Sequence, residues 1–288
     1  MTGLVLGYTW VDGGIVLRIR SSGEMRTTEV PLRDHVSIGI TDRRQCIGYS
    51  RDGKLLPCPD RASPRGKVCA ECMARDEFRP CMICDGSRCP RLSRSMERYC
   101  RQTHHLYLAC FGADALKVGT ASDGRRTQRI IEQGPLSAAR VAAAEGPIIK
   151  QMEAELVKAG FTEAMRRSRK TALLRGGMKP EEARGRVLRA SRDLVAQLSG
   201  VYHRYLHTPA FIEIPELARK SRGMAVNDLP VHPGTVIEGD VTGAVGHVLF
   251  IDDGDGRFAL DLGQLAGWIV EFDPEGPKTR PQVQLGLF

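Results

Sequence analysis

The chain has 288 residues, with 42 Lys or Arg against 34 Asp or Glu and a formal charge of +8. At 42% apolar and 26% charged it has the make-up of a globular protein with a sizeable core, which excludes collagen-like and wholly disordered chains. No apolar run reaches the roughly 18 residues of a membrane helix, and Met1-Thr2-Gly3-Leu4-Val5 carries no basic segment ahead of its apolar residues, so neither a membrane span nor a signal peptide is expected.

Residues 1–45 read as strands: Val5 to Val11 and Ile15 to Ile19 alternate around Asp12-Gly13-Gly14, a hairpin signal. Residues 46–104 hold eight of the nine cysteines among Gly, Pro and Arg, a composition with little core of its own that needs a staple. From 105 to 160 the pattern changes. Leu106 to Phe111 and Leu116 to Thr120 flank the turn Gly112-Ala113-Asp114 as a hairpin, and Arg125 to Gln133 reads as a helix stopped by Gly134. Ala138 to Ala144 reads as a strand, and Pro147 opens a helix with Ile148, Ile149, Met152 and Leu156 on one face. Residues 161–210 form a basic helical region, in which a helix starts near Pro180 with Glu181 and Glu182 in its first turn and runs to Pro209. Residues 211–272 read as short strands that can pair with the N-terminal ones in one small β-domain, and 273–288 as a Pro/Gly linker and tail.

The positive charge is uneven. From Lys158 to Arg192 the only acids are Glu163, Glu181 and Glu182. Arg166, Arg167, Arg169, Lys170 and Arg175 are the candidate nucleic-acid contacts of this stripe, which would neutralise phosphates; a solvated helix face has the same composition.

The cysteine order is Cys46-x11-Cys58-x10-Cys69-x2-Cys72-x8-Cys81-x2-Cys84-x4-Cys89-x10-Cys100. A C-x2-C pair brings two thiolates from one tight turn to a single tetrahedral ion. The partition adopted gives one site Cys46, Cys58, Cys69 and Cys72, and the other Cys81, Cys84, Cys89 and Cys100, both closed and structural. An interleaved partition stays open, as does His104 or His105 in place of Cys100. The first site's spacings resemble a zinc ribbon, which makes Zn²⁺ the expected ion; an iron–sulfur cluster would use the same ligands. A reducing, cytoplasmic compartment fits clustered thiols better as metal ligands than as disulfides. Cys110, in an apolar strand, reads as a buried bystander.

The hairpin and the helices after it resemble the core of GIY-YIG endonucleases. His105-Leu106-Tyr107 stands where the first tripeptide would be, and Lys117-Val118-Gly119 where the second would be, with nine residues between Tyr107 and Lys117. The resemblance implies a small α/β core in which Arg129, or else Arg126, steadies the phosphate. Glu153, or else Glu155, would hold one Mg²⁺ or Mn²⁺, and Tyr107 or an activated water would attack or act as general base. Lys117 stands where the family has its second tyrosine and would contact phosphate; His105 replaces the first glycine. Cysteine region and core together resemble a bacterial family of unknown function.

The last residues, Gln284-Leu285-Gly286-Leu287-Phe288, resemble the pentapeptide by which bacterial replication and repair proteins hold the DNA polymerase sliding clamp. The resemblance implies that Gln284 fills a polar subsite and that Leu285, Leu287 and Phe288 fill an apolar cleft. A last strand tucked against the β-region is the plainer alternative.

The expected fold is α+β: a zinc-ribbon-like cysteine-rich module and a small GIY-YIG-like core, flanked by short β-strands. The expected function is that of a zinc-containing DNA-processing protein of the cytoplasm and nucleoid, with a metal-dependent endonuclease core recruited to the clamp. A catalytically inactive DNA-binding adaptor and an RNA-binding factor are the alternatives.

Overall fold

Asp12 and Gly13 both adopt positive φ, 48° and 78°, the pair of left-handed residues that a two-residue turn needs to match the twist of its strands. They join β1 (Thr2–Val11) to β2 (Gly14–Ser21), followed by β3 (Thr27–Leu32) and β4 (His35–Arg44). The computed structural model describes residues 1–21, 26–89, 93–162, 165–174, 176–221 and 226–273. The pentapeptide Gln284–Phe288 and Arg175 lie outside these, as does the side chain of Arg167. Next come β5 (Tyr49–Arg51), β6 (Lys54–Leu56), α1 (Ala70–Arg75), α2 (Arg79–Met82) and α3 (Arg94–Arg101). They lead into β7 (Thr103–Gly112), β8 (Ala115–Ser122), α4 (Gln128–Ile131), β9 (Ser137–Glu145) and α5 (Gly146–Lys158). The rest is α6 (Arg167–Leu174), α7 (Pro180–Gln197), β10 (Leu206–Phe211), α8 (Glu216–Lys220), β11 (Asn227–Asp228), β12 (Val236–Val245), β13 (Val248–Asp252), β14 (Arg257–Asp261) and β15 (Trp268–Phe272). The architecture is α+β with most of the regular structure in sheet, and none of the described helices is long and apolar enough to cross a membrane.

Two units divide the described chain: residues 1–48, 57–72 and 226–273 in one, 49–56 and 73–221 in the other. The boundary falls between Cys72 and Met73, so the cysteine segment is shared between them. In the first unit β11-β14-β13-β12-β4-β15-β1-β2-β3 form one sheet. The strands from the two ends of the sequence do pair: Leu4 faces Ile269, and Ile38 faces both Ile237 and Phe272. Alternation drives this, since Val36, Ile38 and Ile40 of β4 are buried while Ser37 and Gly39 between them are less so.

The second unit is built on the sheet β10-β9-β7-β8. β7 buries both faces. Leu106, Leu108 and Cys110 join a cluster with Ile149, Met152 and Leu156 of α5 and Ala183, Val187, Ala190 and Leu194 of α7; Tyr107, Ala109 and Phe111 join one with Ile130 of α4 and Ile212. Cys110 is thus a core side chain. In α5 and α7 the buried positions recur every three or four residues, one stripe of a helix.

Two sequence expectations are corrected here. The helix placed at 125–133 is a 3-10 turn at Asp123–Arg125 followed by the single turn α4, ended by Gly134 at φ 74°. The helix expected to reach Pro209 stops at Gln197. After a 3-10 stretch, Gly200–Tyr205, the chain pairs with β9 as β10. Pro209 lies on the sheet's edge strand, where its missing N–H costs no ladder bond.

Candidate metal and active site

Cys46 follows β4, Cys58 and Cys69 lie in the loop that returns to it, and Cys72 opens on the first turn of α1. Their sulfur atoms lie within 4.8 Å of one another, and all but Cys69 are buried. Backbone amides point at the sulfurs: Gly48 N–H and Cys69 N–H donate to Cys46 Sγ at 3.4 and 3.3 Å, and Cys72 N–H donates to Cys69 Sγ at 3.5 Å. Burial pushes the Cys46 and Cys72 thiols up, while the Cys72 amide holds Cys69 down. A cation would offset the cost of keeping such buried sulfurs as thiolates. These four cysteines fit a tetrahedral metal such as zinc.

The other four cysteines gather in the second unit more loosely. Cys81 is pushed up to about 12, first by burial and then by Cys100, with Cys84 and Cys89 adding to it. Gly86 N–H donates to Cys84 Sγ at 3.3 Å, the same amide-to-sulfur turn as Cys46–Gly48. Cys89 is exposed. His104 is buried, which lowers its pKa, and its Nδ1 lies 3.0 Å from the Gln102 carbonyl oxygen. With Nδ1–H donating there, Nε2 is left as a donor atom for metal. His105 Nε2 lies 2.8 Å from Asp123 Oδ1, its buried Nδ1 has no hydrogen-bond partner among the described residues, and the residue does not line the cavity that these four cysteines border.

All four of these cysteines line a cavity of about 550 Å³ together with Tyr107, Lys117, Arg129 and Glu153. Tyr107 projects from β7 across Gly119 of β8, where any Cβ would collide with the phenol. Burial, the largest effect, pushes Tyr107 up to about 12 against the nearby Arg129, with Glu153 adding to the rise. Arg129 is exposed and has no hydrogen-bond or ion-pair partner among the described residues. Glu153 is 5% exposed and accepts from Lys150 Nζ at 2.7 Å.

The alternatives separate on position. Arg126 bonds Asp123, and Glu155 accepts from Ser199 N–H; neither lines the cavity. Sequence reasoning missed Lys150 and Arg125, which also line it; Lys150 was legible only as the residue three before Glu153. Gly119→Ala is expected to displace Tyr107 and to cost about 1–3 kcal/mol through overpacking, checked by denaturant unfolding beside wild type.

The cysteine loop is docked onto α5. Gln151 Nε2 donates to the Gly86 carbonyl at 2.9 Å, and a Cβ on Gly86 would run into the Pro147 carbonyl. A Cβ on Gly146 would meet the Cys100 carbonyl at 2.6 Å. The second cysteine group is thus tied to the helix that carries Glu153.

The basic stripe is less available than its count implies. Lys170 is a correction to the candidate phosphate contacts: it is buried, donates to Gln133 Oε1 at 2.5 Å and sits 5.2 Å from the Phe111 ring centroid. Arg169 donates to the Asp114 carbonyl, Arg184 stacks 3.6 Å over the Phe211 ring, and Arg186 donates to the Ala113 carbonyl. Arg166 is exposed, as are Arg189 and Arg192, which have no ion-pair partner among the described residues.

A family model described as a protein of unknown function, DUF2797, matches residues 34–270. The chain belongs to the DUF2797 family. No curated protein and no solved structure matches it. The DUF2797 match takes in both cysteine groups and every residue that lines the cavity.

Proposed function

We propose that the chain is a zinc-containing DNA-processing protein whose cavity in the second unit hydrolyses a phosphodiester, as a GIY-YIG-like endonuclease would. The observation that carries this reading is the convergence of Tyr107, Lys117, Arg129 and Glu153 on one cavity, although they come from β7, β8, α4 and α5. Arg129, exposed and unpaired, would meet the charge that develops on the phosphate oxygens, and Lys117 would hold the phosphate from the adjacent strand. Glu153 is the one carboxylate lining the cavity among the described residues; a Mg²⁺ or Mn²⁺ held there would stabilise the leaving oxygen. Tyr107, with its pKa at about 12, is a neutral phenol near pH 7. It would orient a water by hydrogen bonding and would not take its proton.

One observation favours a second reading. Lys150 already neutralises Glu153 at 2.7 Å, an arrangement that suits a phosphate-binding site without hydrolysis, hence a DNA-binding adaptor. Incubating zinc-loaded protein with labelled branched, nicked and duplex DNA and Mg²⁺ or Mn²⁺ separates the two. Cleavage carries the first reading; salt-dependent binding without cleavage carries the second, and neither outcome sinks both.

Arg192→Ala is expected to weaken DNA binding uniformly across sequences and to reduce the slope of log K against log salt by about 1. The same substitution leaving the slope unchanged would remove α7 from the interface. The tail Gln284–Phe288 is proposed to hold the sliding clamp on the sequence resemblance alone. Deleting it should abolish clamp binding in a pull-down with purified clamp and leave DNA affinity intact.

A further inference from the structure

We infer that the cavity carries a subsite for an unpaired nucleobase beside its phosphate-binding residues, formed by Phe78 and Tyr99 on the cysteine-bearing wall. The inference rests on the phosphodiester reading and names its substrate class: nucleic acid with an unstacked base next to the bound phosphate, as in a flap, a branch or a single strand.

Three aromatic rings line one side of the cavity as a chain. Phe78 and Tyr99 have centroids 5.5 Å apart at 75°, and Tyr99 and His104 lie 5.0 Å apart at 87°. These edge-to-face contacts fix the rings without using all of their faces. Phe78 remains 39% exposed, and beside it Met82 is 68% exposed on the same rim. Neither residue belongs to either of the clusters that fill the unit's core.

The charged side chains of the lining are Lys117, Arg125, Arg129, Lys150 and Glu153. Lys150 pairs with Glu153 and Arg125 with Glu132, which leaves the exposed Arg129 as the cation set to meet an anionic group. A ligand covering both parts needs an anionic group and a flat apolar one, joined within a cavity of about 550 Å³, a volume in the range that holds a small-molecule-sized group. A nucleotide unit of a strand has this make-up. A base within continuous duplex is stacked on both faces and offers none to Phe78, so the chemistry selects an unstacked base. Such stacking tolerates any base identity, because no base-edge code is required.

The test uses the full-length, zinc-loaded chain and a short single-stranded DNA with one central 2-aminopurine, beside the same strand with an abasic site there. Wild type is expected to bind the base-containing strand more tightly and to quench its fluorescence. Phe78→Ala, at wild-type zinc content, should weaken that strand by about 5- to 100-fold and leave the abasic strand unchanged. Phe78→Trp should retain the preference. Phe78→Leu, which keeps apolar volume without a π-face and guards against a folding defect, should lose it. Equal affinity of wild type for the two strands, or equal weakening of both by Phe78→Leu, overturns the subsite. Arg129→Ala gives the independent control: weakening of both strands keeps the phosphate reading while the subsite stands or falls alone, and no effect on either strand overturns the reading beneath it.

Discussion

Arg129→Ala and Glu153→Gln are each expected to lower metal-dependent cleavage by about 100- to 1,000-fold, the loss typical of removing one preorganised charge from a transition state. Their thermal stabilities should separate. Arg129 is exposed and unpaired among the described residues, so its removal should leave Tm within a degree or two of wild type, about what surface changes do. Glu153 is buried against Lys150, and Gln there strips the lysine of its counter-charge, so some loss of Tm accompanies the loss of rate. Cleavage by Arg129→Ala at the wild-type rate would sink the catalytic assignment whatever Glu153 does.

Tyr107→Phe decides what the phenol contributes. A general base would account for about 100- to 10,000-fold of rate, and its removal would erase a limb of the pH profile. With a pKa pushed up to about 12 by burial, Tyr107 holds its proton across the working range. The expected result is a smaller loss with the profile unaltered. The sign for stability follows from the same shift. The folded state favours the neutral phenol, so its contribution is fully present below the ordinary tyrosine pKa of about 10 and fades as pH rises toward 12.

Local signals were legible where one stretch of sequence decides the outcome. The pair Asp12-Gly13 specified its hairpin, and Pro147 with Ile149, Met152 and Leu156 specified α5 with its buried face. The same signal at Asp52-Gly53, φ 49° and 72°, marks the turn of β5 and β6. The strands on either side are three residues each, Tyr49–Arg51 and Lys54–Leu56, too short for an alternating pattern to show. What spacing could not carry was partition in space. Eight cysteines in one segment read as one module, yet the boundary between units falls after Cys72. The decisive contacts come from far along the chain, as β4 pairs with β12 and β15. The cavity followed the same rule. Tyr107 and Lys117 were legible from a hairpin, but Phe78 and Tyr99 reach it only because the cysteine loop docks on α5 through Gly86 and Gln151. Lys170 misled for the opposite reason. A count of charges treats every lysine as solvated, whereas this one sets its ammonium over the Phe111 ring and finds a partner in Gln133.

Cys69→Ser and Cys81→Ser are expected to differ in kind, although each should release one equivalent of zinc in a colorimetric chelator assay. Cys69 lies among sulfurs within 4.8 Å that join the end of β4 to the loop 57–72. Structural zinc supplies folding free energy on the order of 10 kcal/mol in isolated modules. Losing part of that from a unit of this size should lower Tm by roughly 10–20 °C. Cys81 belongs to the looser group, with Cys89 exposed, and the core behind it is filled by α5, α7 and β7 without any sulfur ligand. Its loss should leave the main unfolding transition nearly in place and free the loop that packs on α5. Cleavage and base-dependent binding should then fall together, because Phe78, Tyr99 and Glu153 line the cavity that this loop bounds. Full retention of zinc by Cys81→Ser would show that the second group holds no metal. Loss of zinc with undiminished cleavage would show that it holds one without shaping the cavity.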